Sequence, residues 1–315
     1  MSHYPDNIFP GMVANRAAEF PDFKVLTIEG AGVRPDEVRT YRQLWDNGQR
    51  MAQAMLDLGI APGERVALLM ANHAEFVEAM VAAGIVGAAV VPIDPRTKGD
   101  KLHFMLSNSQ CSAAIAADYV LPRLHPLRER LPGLRWAMAF ATDEGDRPLS
   151  DWQGVENLAA RAPADVPDLP LLTIDPDSAL ELIFTSGTTG DPKGIVMTHR
   201  RYCQTVRLGP SLFGYSTDDV LYSGLSLTHA NAQLVTLGSA LACRLRCVLS
   251  RRFTKSRLWD ITRQYGATTF TLLGGMTTAV YTEPRKPNDA DNPVRFVVSS
   301  GMPAAIWGEF SQRFG

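Results

Sequence analysis

The sequence predicts an α/β fold in two lobes, with mostly parallel sheets flanked by helices. Three observations predict it. A strand–helix–strand pattern with unbroken apolar strands runs over residues 59–94. A Pro- and Asp-rich stretch then interrupts the chain between 142 and 178, and new strand-length apolar runs begin after it. The expected lobes are 1–175 and 176–315.

Taken in order, Gly59-Ile60-Ala61-Pro62-Gly63-Glu64 is turn chemistry, and residues 66–70 form an apolar run of strand length. Asn72 suits the cap of the helix that EFVEAMVAAG implies, and residues 88–93 give a second apolar strand. Strands that are continuously apolar, without polar alternation, belong to a parallel sheet covered on both faces. The segments TDEGDRPLSDW, RAPADVPDLP and TIDPDSA read as one long surface connection between the lobes. The second lobe is expected to open with a strand at 179–184. It continues with a helix over RFTKSRLWDITRQYG and strands at 267–273 and 294–299. No internal repeat or low-complexity tract is visible.

Composition narrows the function classes. The 315 residues suffice for a large core, and 45% hydrophobic with 20% charged residues is ordinary for a globular protein. A formal net charge of −2 gives no global reason to expect nucleic acid or a membrane surface as partner. Cys111, Cys203, Cys243 and Cys247 show no CxxC spacing and no histidines at zinc intervals, so they read as reduced thiols of a cytoplasmic protein. The start, MSHYPDNIFPG, has no basic region leading into an apolar one, so no signal peptide is expected. The longest apolar run, residues 79–93, falls short of the roughly 20 residues that span a membrane.

The chemistry concentrates in TSGTTGDPKG, residues 185–194, directly after the apolar run LELIF. Glycines let backbone N–H groups converge on an anion without Cβ obstruction. Thr185, Ser186, Thr188 and Thr189 add hydroxyl donors, and Lys193 adds a mobile positive charge. Charge-assisted hydrogen bonds of roughly 1.5–3 kcal/mol each make three or four such contacts enough to hold a nucleotide. A solvated Gly/Thr turn with one surface lysine is the plain alternative. The spacing is not that of the G-x-x-x-x-G-K-[ST] phosphate loop, since Gly187, Gly190 and Lys193 fall three apart. Neither G-x-G-x-x-G nor G-x-S-x-G occurs.

FTSGTTGDPKG closely resembles the phosphate-loop signature of the adenylate-forming superfamily, which includes acyl-CoA synthetases, aryl-CoA ligases, luciferases and peptide-synthetase adenylation domains. Other segments agree in order. TYRQLWDNGQRMAQAMLDLGIAPGERVALLMANHAEFVEAM, GAAVVPIDPR and GIVMTH resemble the first-lobe pattern and the segment after the loop. LSLTHANAQ (225–233) resembles the P-L-F-H-x-N-A-Q stretch of acyl-CoA synthetases, and SSGMP (299–303) resembles the G-[AE]-P adenine motif. The resemblance implies the large N-terminal domain of a two-step ligase. A carboxylic acid is activated by ATP, with Mg2+ arriving on the nucleotide, to an acyl-adenylate and pyrophosphate. Coenzyme A then takes the acyl group. A homodimer stays open.

By the same resemblance Thr185, Ser186, Gly187, Thr188, Thr189, Gly190 and Lys193 match triphosphate-contacting positions, and Gly194 serves loop geometry. His229 matches the histidine that borders the acyl pocket and reaches toward the carboxylate, so His229 and Lys193 are the implied catalytic residues. The family's Pro and Phe near it are replaced by Ser226 and Thr228, a smaller and more polar wall. Gly301, Met302 and Pro303 match the adenine-contact motif, and Asn231 and Gly274 are pocket candidates by segment position. Leu273 and Met276 fit core packing better. Arg244, Arg246, Arg251, Arg252, Lys255 and Arg257 suit either the phosphates of coenzyme A or, more simply, a solvated basic face. His73, His103, His125 and His199 show no metal-ligand spacing, and Asp218-Asp219 reads as capping.

The sequence stops at SQRFG, shortly after SSGMP. The family's Y-G-x-T-E segment, its ribose-binding Asp and its small C-terminal domain with the catalytic Lys are therefore expected to be missing. The chain is expected to be an N-terminal fragment, incomplete for the full reaction and prone to self-association through an exposed strand edge. Two other readings remain: a peptide-synthetase-type adenylation domain, against which His229 stands, and a non-catalytic ATP-binding module.

Overall fold

The computed structural model describes residues 4–185 and 192–315. In chain order the elements are helix α1 (Phe9–Glu19), strands β1 (Lys24–Glu29) and β2 (Glu37–Thr40), α2 (Tyr41–Asp57), β3 (Arg65–Leu69), α3 (Ala74–Val86), β4 (Ala89–Pro92), α4 (Gly99–Asn108) and β5 (Ala113–Ala117). They continue with α5 (Leu121–Leu124), β6 (Trp136–Phe140), β7 (Val155–Asn157), α6 (Leu158–Arg161), β8 (Ala179–Thr185), β9 (Lys193–Thr198) and α7 (His199–Val206). Then come α8 (Gly209–Phe213), β10 (Val220–Ser223), a π-helix (Asn231–Gly238), α9 (Ser239–Cys243), β11 (Arg246–Ser250), α10 (Leu258–Tyr265), β12 (Thr269–Leu273), α11 (Gly274–Tyr281), β13 (Phe296–Ser300) and α12 (Ala304–Phe314).

Two compact units result, Met1–Phe23 with Thr40–Gln204 and Lys24–Arg39 with Thr205–Gly315. The first unit holds a seven-stranded sheet of order β7-β6-β5-β3-β4-β8-β9. Its strands are parallel except for the antiparallel pair β8–β9. Strands β4, β5 and β6 are buried at every residue, which is what an unbroken apolar run means in a sheet covered on both faces. Helix α2 is set by a capping box. The Gln43 N–H donates to Thr40 Oγ1 at 3.2 Å, and the Thr40 N–H donates to Gln43 Oε1 at 2.9 Å. Helix α3 starts at Ala74 with His73, not Asn72, in the cap position. No side chain caps α3 there, because the His73 imidazole is taken by the Tyr119 hydroxyl 3.1 Å away.

The strand at 179–184 does not open the second lobe. It is β8, hydrogen-bonded to β4 in the first unit's sheet, with Glu181 opposite Val90. A continuous apolar pattern reports burial on both faces but does not name the neighbouring strand. The stretch before β8 is likewise no free connection. Gln49 on α2 takes both the N–H and the C=O of Leu169, at 2.9 and 3.2 Å, and the Leu172 N–H donates to the Ile85 carbonyl at 2.8 Å. Part of the expected connection, β7, pairs with β6. The 176–315 boundary therefore gives way to a division in which residues up to Gln204 belong to the first unit.

The second unit holds a six-stranded sheet of order β13-β12-β10-β11-β1-β2. β1 comes from early in the chain and pairs parallel to β11, Leu26 opposite Cys247 through Glu29 opposite Ser250. Its core gathers Val220, Tyr222, Leu258, Phe270, Leu272, Phe310 and Phe314 around Trp259. The Trp259 and Phe314 rings stack with centroids 4.4 Å apart, and Phe270 meets Trp259 edge-on at 81°.

Candidate functional site

In the first unit the phosphate-loop candidate is mounted on a hairpin. β8 and β9 pair antiparallel from Ala179↔Thr198 to a last pair, Thr185↔Lys193, so the two ends of TSGTTGDPKG are held side by side. The Thr185 hydroxyl donates to the Lys193 carbonyl at 3.3 Å, and both residues are exposed. Gly194 has a packing reason. A Cβ there would stand 3.1 Å from Cδ2 of Leu182 on the neighbouring strand. Ser186, Gly187, Thr188, Thr189 and Gly190 lie outside the described residues. The described ends set the exposed Thr185 and Lys193 side chains at the loop end of the ladder, and a lysine ammonium there suits a polyphosphate.

In the second unit LSLTHANAQ forms the lead into the π-helix. The Ser226 and Thr228 hydroxyls lie 2.9 Å apart, and Ser226 Oγ also accepts the Thr228 N–H at 3.2 Å. His229 follows, exposed, with its N–H on the Ser226 carbonyl at 3.0 Å. Asn231 is the first π-helical residue and half-buried. Gln233, fully buried, donates to the Leu227 carbonyl at 2.7 Å and so ties the helix back onto its own lead-in. A π-helix of this length is rare, and single π turns often mark functional sites. Beneath it runs a buried row of hydroxyls. Thr236 Oγ1 is 3.3 Å from Thr271 Oγ1, which donates to Ser223 Oγ at 2.9 Å.

The second unit also carries the adenine-motif candidates. Gly301 takes a left-handed φ of 91°, a conformation that favours glycine. Met302 packs its side chain against the aromatic core, and together with Trp307, Val297 and Phe310 it lines a groove of about 320 Å3. Pro303 caps α12. Gly274 opens α11 directly against Gly301, and a Cβ on Gly274 would be 3.0 Å from the Gly301 oxygen. At this position the backbone of a neighbouring turn fills the space beside the glycine.

Residues 13–315 match the AMP-binding enzyme family. The chain belongs to that family. It is similar to the mouse long-chain fatty acid transport protein 6, 28% identical over 89% of this chain and 45% of that protein. It is 30% identical to the medium/long-chain-fatty-acid–CoA ligase FadD6 of Mycobacterium tuberculosis, over 89% of this chain and 45% of that one. The chain thus spans less than half the length of these curated relatives. Its fold is that of the anthranilate CoA ligase AuaEII, solved with anthranoyl-AMP, at a TM-score of 0.87 and 21% identity over 100% of this chain and 59% of that one. A benzoate CoA ligase from Burkholderia xenovorans superposes at 0.83 with 20% identity, over 98% of this chain and 59% of the other.

Within this AMP-binding domain three of the six residues of the basic run pair with acids of their own unit. Arg251 pairs with Glu37 at 2.5 Å, Lys255 with Glu283 at 2.7 Å and Arg257 with Glu29 at 3.5 Å. Asp219 caps a turn through Ser216, as its type suggests, and also accepts from Arg295 at 2.7 Å and Thr268 at 2.6 Å. All four cysteines are free thiols. Among the described residues no helix is long and apolar enough to cross a membrane. Sequence reasoning missed Thr277 and the π-helix. Neither has a local signature, since one is a single hydroxyl meeting a partner 22 residues away and the other is a backbone adjustment to packing.

Proposed function

We propose that this AMP-binding chain serves an ATP-dependent acid–thiol ligase that makes acyl-coenzyme A. An oxygen of the acid's carboxylate attacks the α-phosphorus of ATP. The bond to the pyrophosphate oxygen breaks, and acyl-adenylate and pyrophosphate form. The sulfur of coenzyme A then attacks the acyl carbon and AMP departs. The observation that carries this reading is the β8–β9 hairpin, which pairs Thr185 with Lys193 at its loop end. Charge accumulates on the departing pyrophosphate, and donors held in place lower that barrier without reorganising.

In this reading Thr185 and Lys193 grip the triphosphate, whose charge Mg2+ shares, and His229 stands by the carboxylate. Gly301, Met302 and Pro303 receive the base, chiefly through backbone, because the Met302 side chain is engaged by the core. Fatty acids are the acid class we favour, following the two curated relatives, with aryl acids as the competing class. A cytoplasmic location is part of this proposal; the free thiols and the need for ATP and coenzyme A support it.

The test is ATP binding to this chain, with acid-dependent exchange of pyrophosphate into ATP over a panel of fatty and aryl acids measured on the full-length gene product. We expect this chain to bind ATP, a fatty acid to support exchange in the full-length protein, and Lys193→Ala to cut that exchange roughly a hundredfold. ATP binding without exchange in the full-length protein would move it to the class of nucleotide-binding modules. Absence of ATP binding would remove the reading altogether.

A further inference from the structure

Two contacts tie the first turn of α11 to the turn at residues 299–303. Gly274 and Gly301 meet backbone to backbone. A Cβ on Gly274 would lie 3.0 Å from the Gly301 oxygen, and a Cβ on Gly301 would lie 3.5 Å from the Gly274 Cα. One helical turn on, Thr277 is fully buried with its Oγ1 3.0 Å from Ser299 Oγ. Between these points β12 and β13 run in register, Leu272 opposite Ser299 and Leu273 opposite Ser300. Gly275, beside Gly274 on the same helix, has no atom within 4 Å of where its Cβ would be. The closeness at Gly274 is thus specific to one residue and is not a general crowding of the helix start.

We propose that Gly274 and Thr277 are positioning residues for the nucleotide base: they clamp the 299–303 turn at a fixed height on the sheet without touching the nucleotide. The inference rests on the reading that residues 301–303 receive the base of ATP. A turn led by a left-handed glycine has no side chain of its own to fix it at Gly301, so its position is set by what it leans on. On one flank that support is the bare backbone of Gly274. On the other it is the Thr277–Ser299 hydroxyl pair, buried on the Thr277 side, where the hydroxyl also reaches the Leu273 carbonyl at 3.4 Å.

The test measures binding of ATP and of inorganic tripolyphosphate to the same variants. Tripolyphosphate carries the charges that the β8–β9 hairpin would hold and lacks the base. Gly274→Ala and Thr277→Val should each weaken ATP about tenfold while leaving tripolyphosphate within about twofold of wild type. Thr277→Ser, which keeps the hydroxyl, should restore ATP binding, and Gly275→Ala should match wild type. A merely structural role would weaken both probes in parallel and lower the melting temperature alike, and that result overturns the proposal. Wild-type preference for ATP with unchanged affinity in Gly274→Ala overturns the clamp alone. Wild type binding ATP no better than tripolyphosphate overturns the base site and the clamp with it.

Discussion

The backbone N–H of Phe9, first residue of α1, donates to Nδ1 of His199, 3.2 Å away and 190 residues further along the chain. Because Nδ1 accepts, the neutral ring carries its proton on Nε2. That atom is buried and has no hydrogen-bond partner among the described residues. His199 is 1% exposed, and burial depresses its pKa from the ordinary 6.5 to about 4.

The first prediction follows from that depression. Above pH 6.5 His199 is neutral in both folded and unfolded chains, and its contribution is fully present. Between 6.5 and about 4 the unfolded chain binds the proton and the folded one does not, so stability falls as pH falls. Each pH unit of that interval is worth about 1.4 kcal/mol, so the total is on the order of 3 kcal/mol. Urea unfolding at stepped pH should show this slope in wild type. His199→Gln, whose side-chain carbonyl still accepts from Phe9 but does not titrate, should show a shallower one. Equal slopes in the two proteins would mean that other groups govern the acid limb.

Gly84 tests the same corner of the first unit by packing. In α3 an alanine would ordinarily gain about 1 kcal/mol over glycine. Here the added Cβ would lie 2.7 and 2.8 Å from the ring carbons Cδ and Cγ of Pro10, which cannot swing aside. The clash outweighs the propensity, and Gly84→Ala should cost about 1–3 kcal/mol in chemical denaturation. Gly133→Ala, with nothing within 4 Å of its Cβ, should stay within about 0.5 kcal/mol of wild type.

Burial is legible in the sequence where the partners that cause it are not. Strands β3 and β4 are readable because short apolar runs bounded by turn signals suit buried strands, and β12 because threonine, phenylalanine and leucine in a short run favour one. The strand at 179–184 was readable as a strand, yet its place was not, since Glu181 meets Val90 across 91 residues of chain. The β1–β2 excursion into the second sheet was invisible for the same reason. Its partner, β11, lies far along the chain and leaves no periodic trace. At the candidate site the spacing of TSGTTGDPKG and SSGMP carried the motif. Gly274 reads as a pocket residue by segment position, and the sequence gives no sign that a Cβ there would meet the Gly301 oxygen at 3.0 Å.

Asp219 anchors the second unit. Its carboxylate is 2% exposed and accepts from Arg295, Thr268 and the Ser216 N–H. Burial alone would raise its pKa, but the bonds from Arg295, Thr268 and Ser216 outweigh that and hold it below the usual carboxylate value. A carboxylate lowered in this way contributes stability above its unfolded pKa and loses it as pH falls below about 4. Asp219→Asn keeps the shape and removes the charge. With Arg295 half exposed and able to recover water, the expected cost is about 1–3 kcal/mol at pH 7, shrinking toward pH 3. A cost that stays constant over that range would assign the loss to packing and not to charge.

The last prediction concerns the outer edge of the second sheet. β13 has β12 on one side and no strand on the other among the described residues. Its sequence, FVVSS, carries no charge to deter pairing, and Trp307 on α12 stands 63% exposed at the rim of the adjoining groove. An uncharged edge beside an exposed tryptophan favours edge-to-edge association. We expect light scattering to show oligomers that grow with protein concentration. Trp307→Glu places a like charge against its copy in any association built on this face, and so exposed a position tolerates the change without loss of melting temperature. A wild-type chain that stays monomeric at every concentration would refute association through this edge. If Trp307→Glu associates as wild type does, the contact lies on another face.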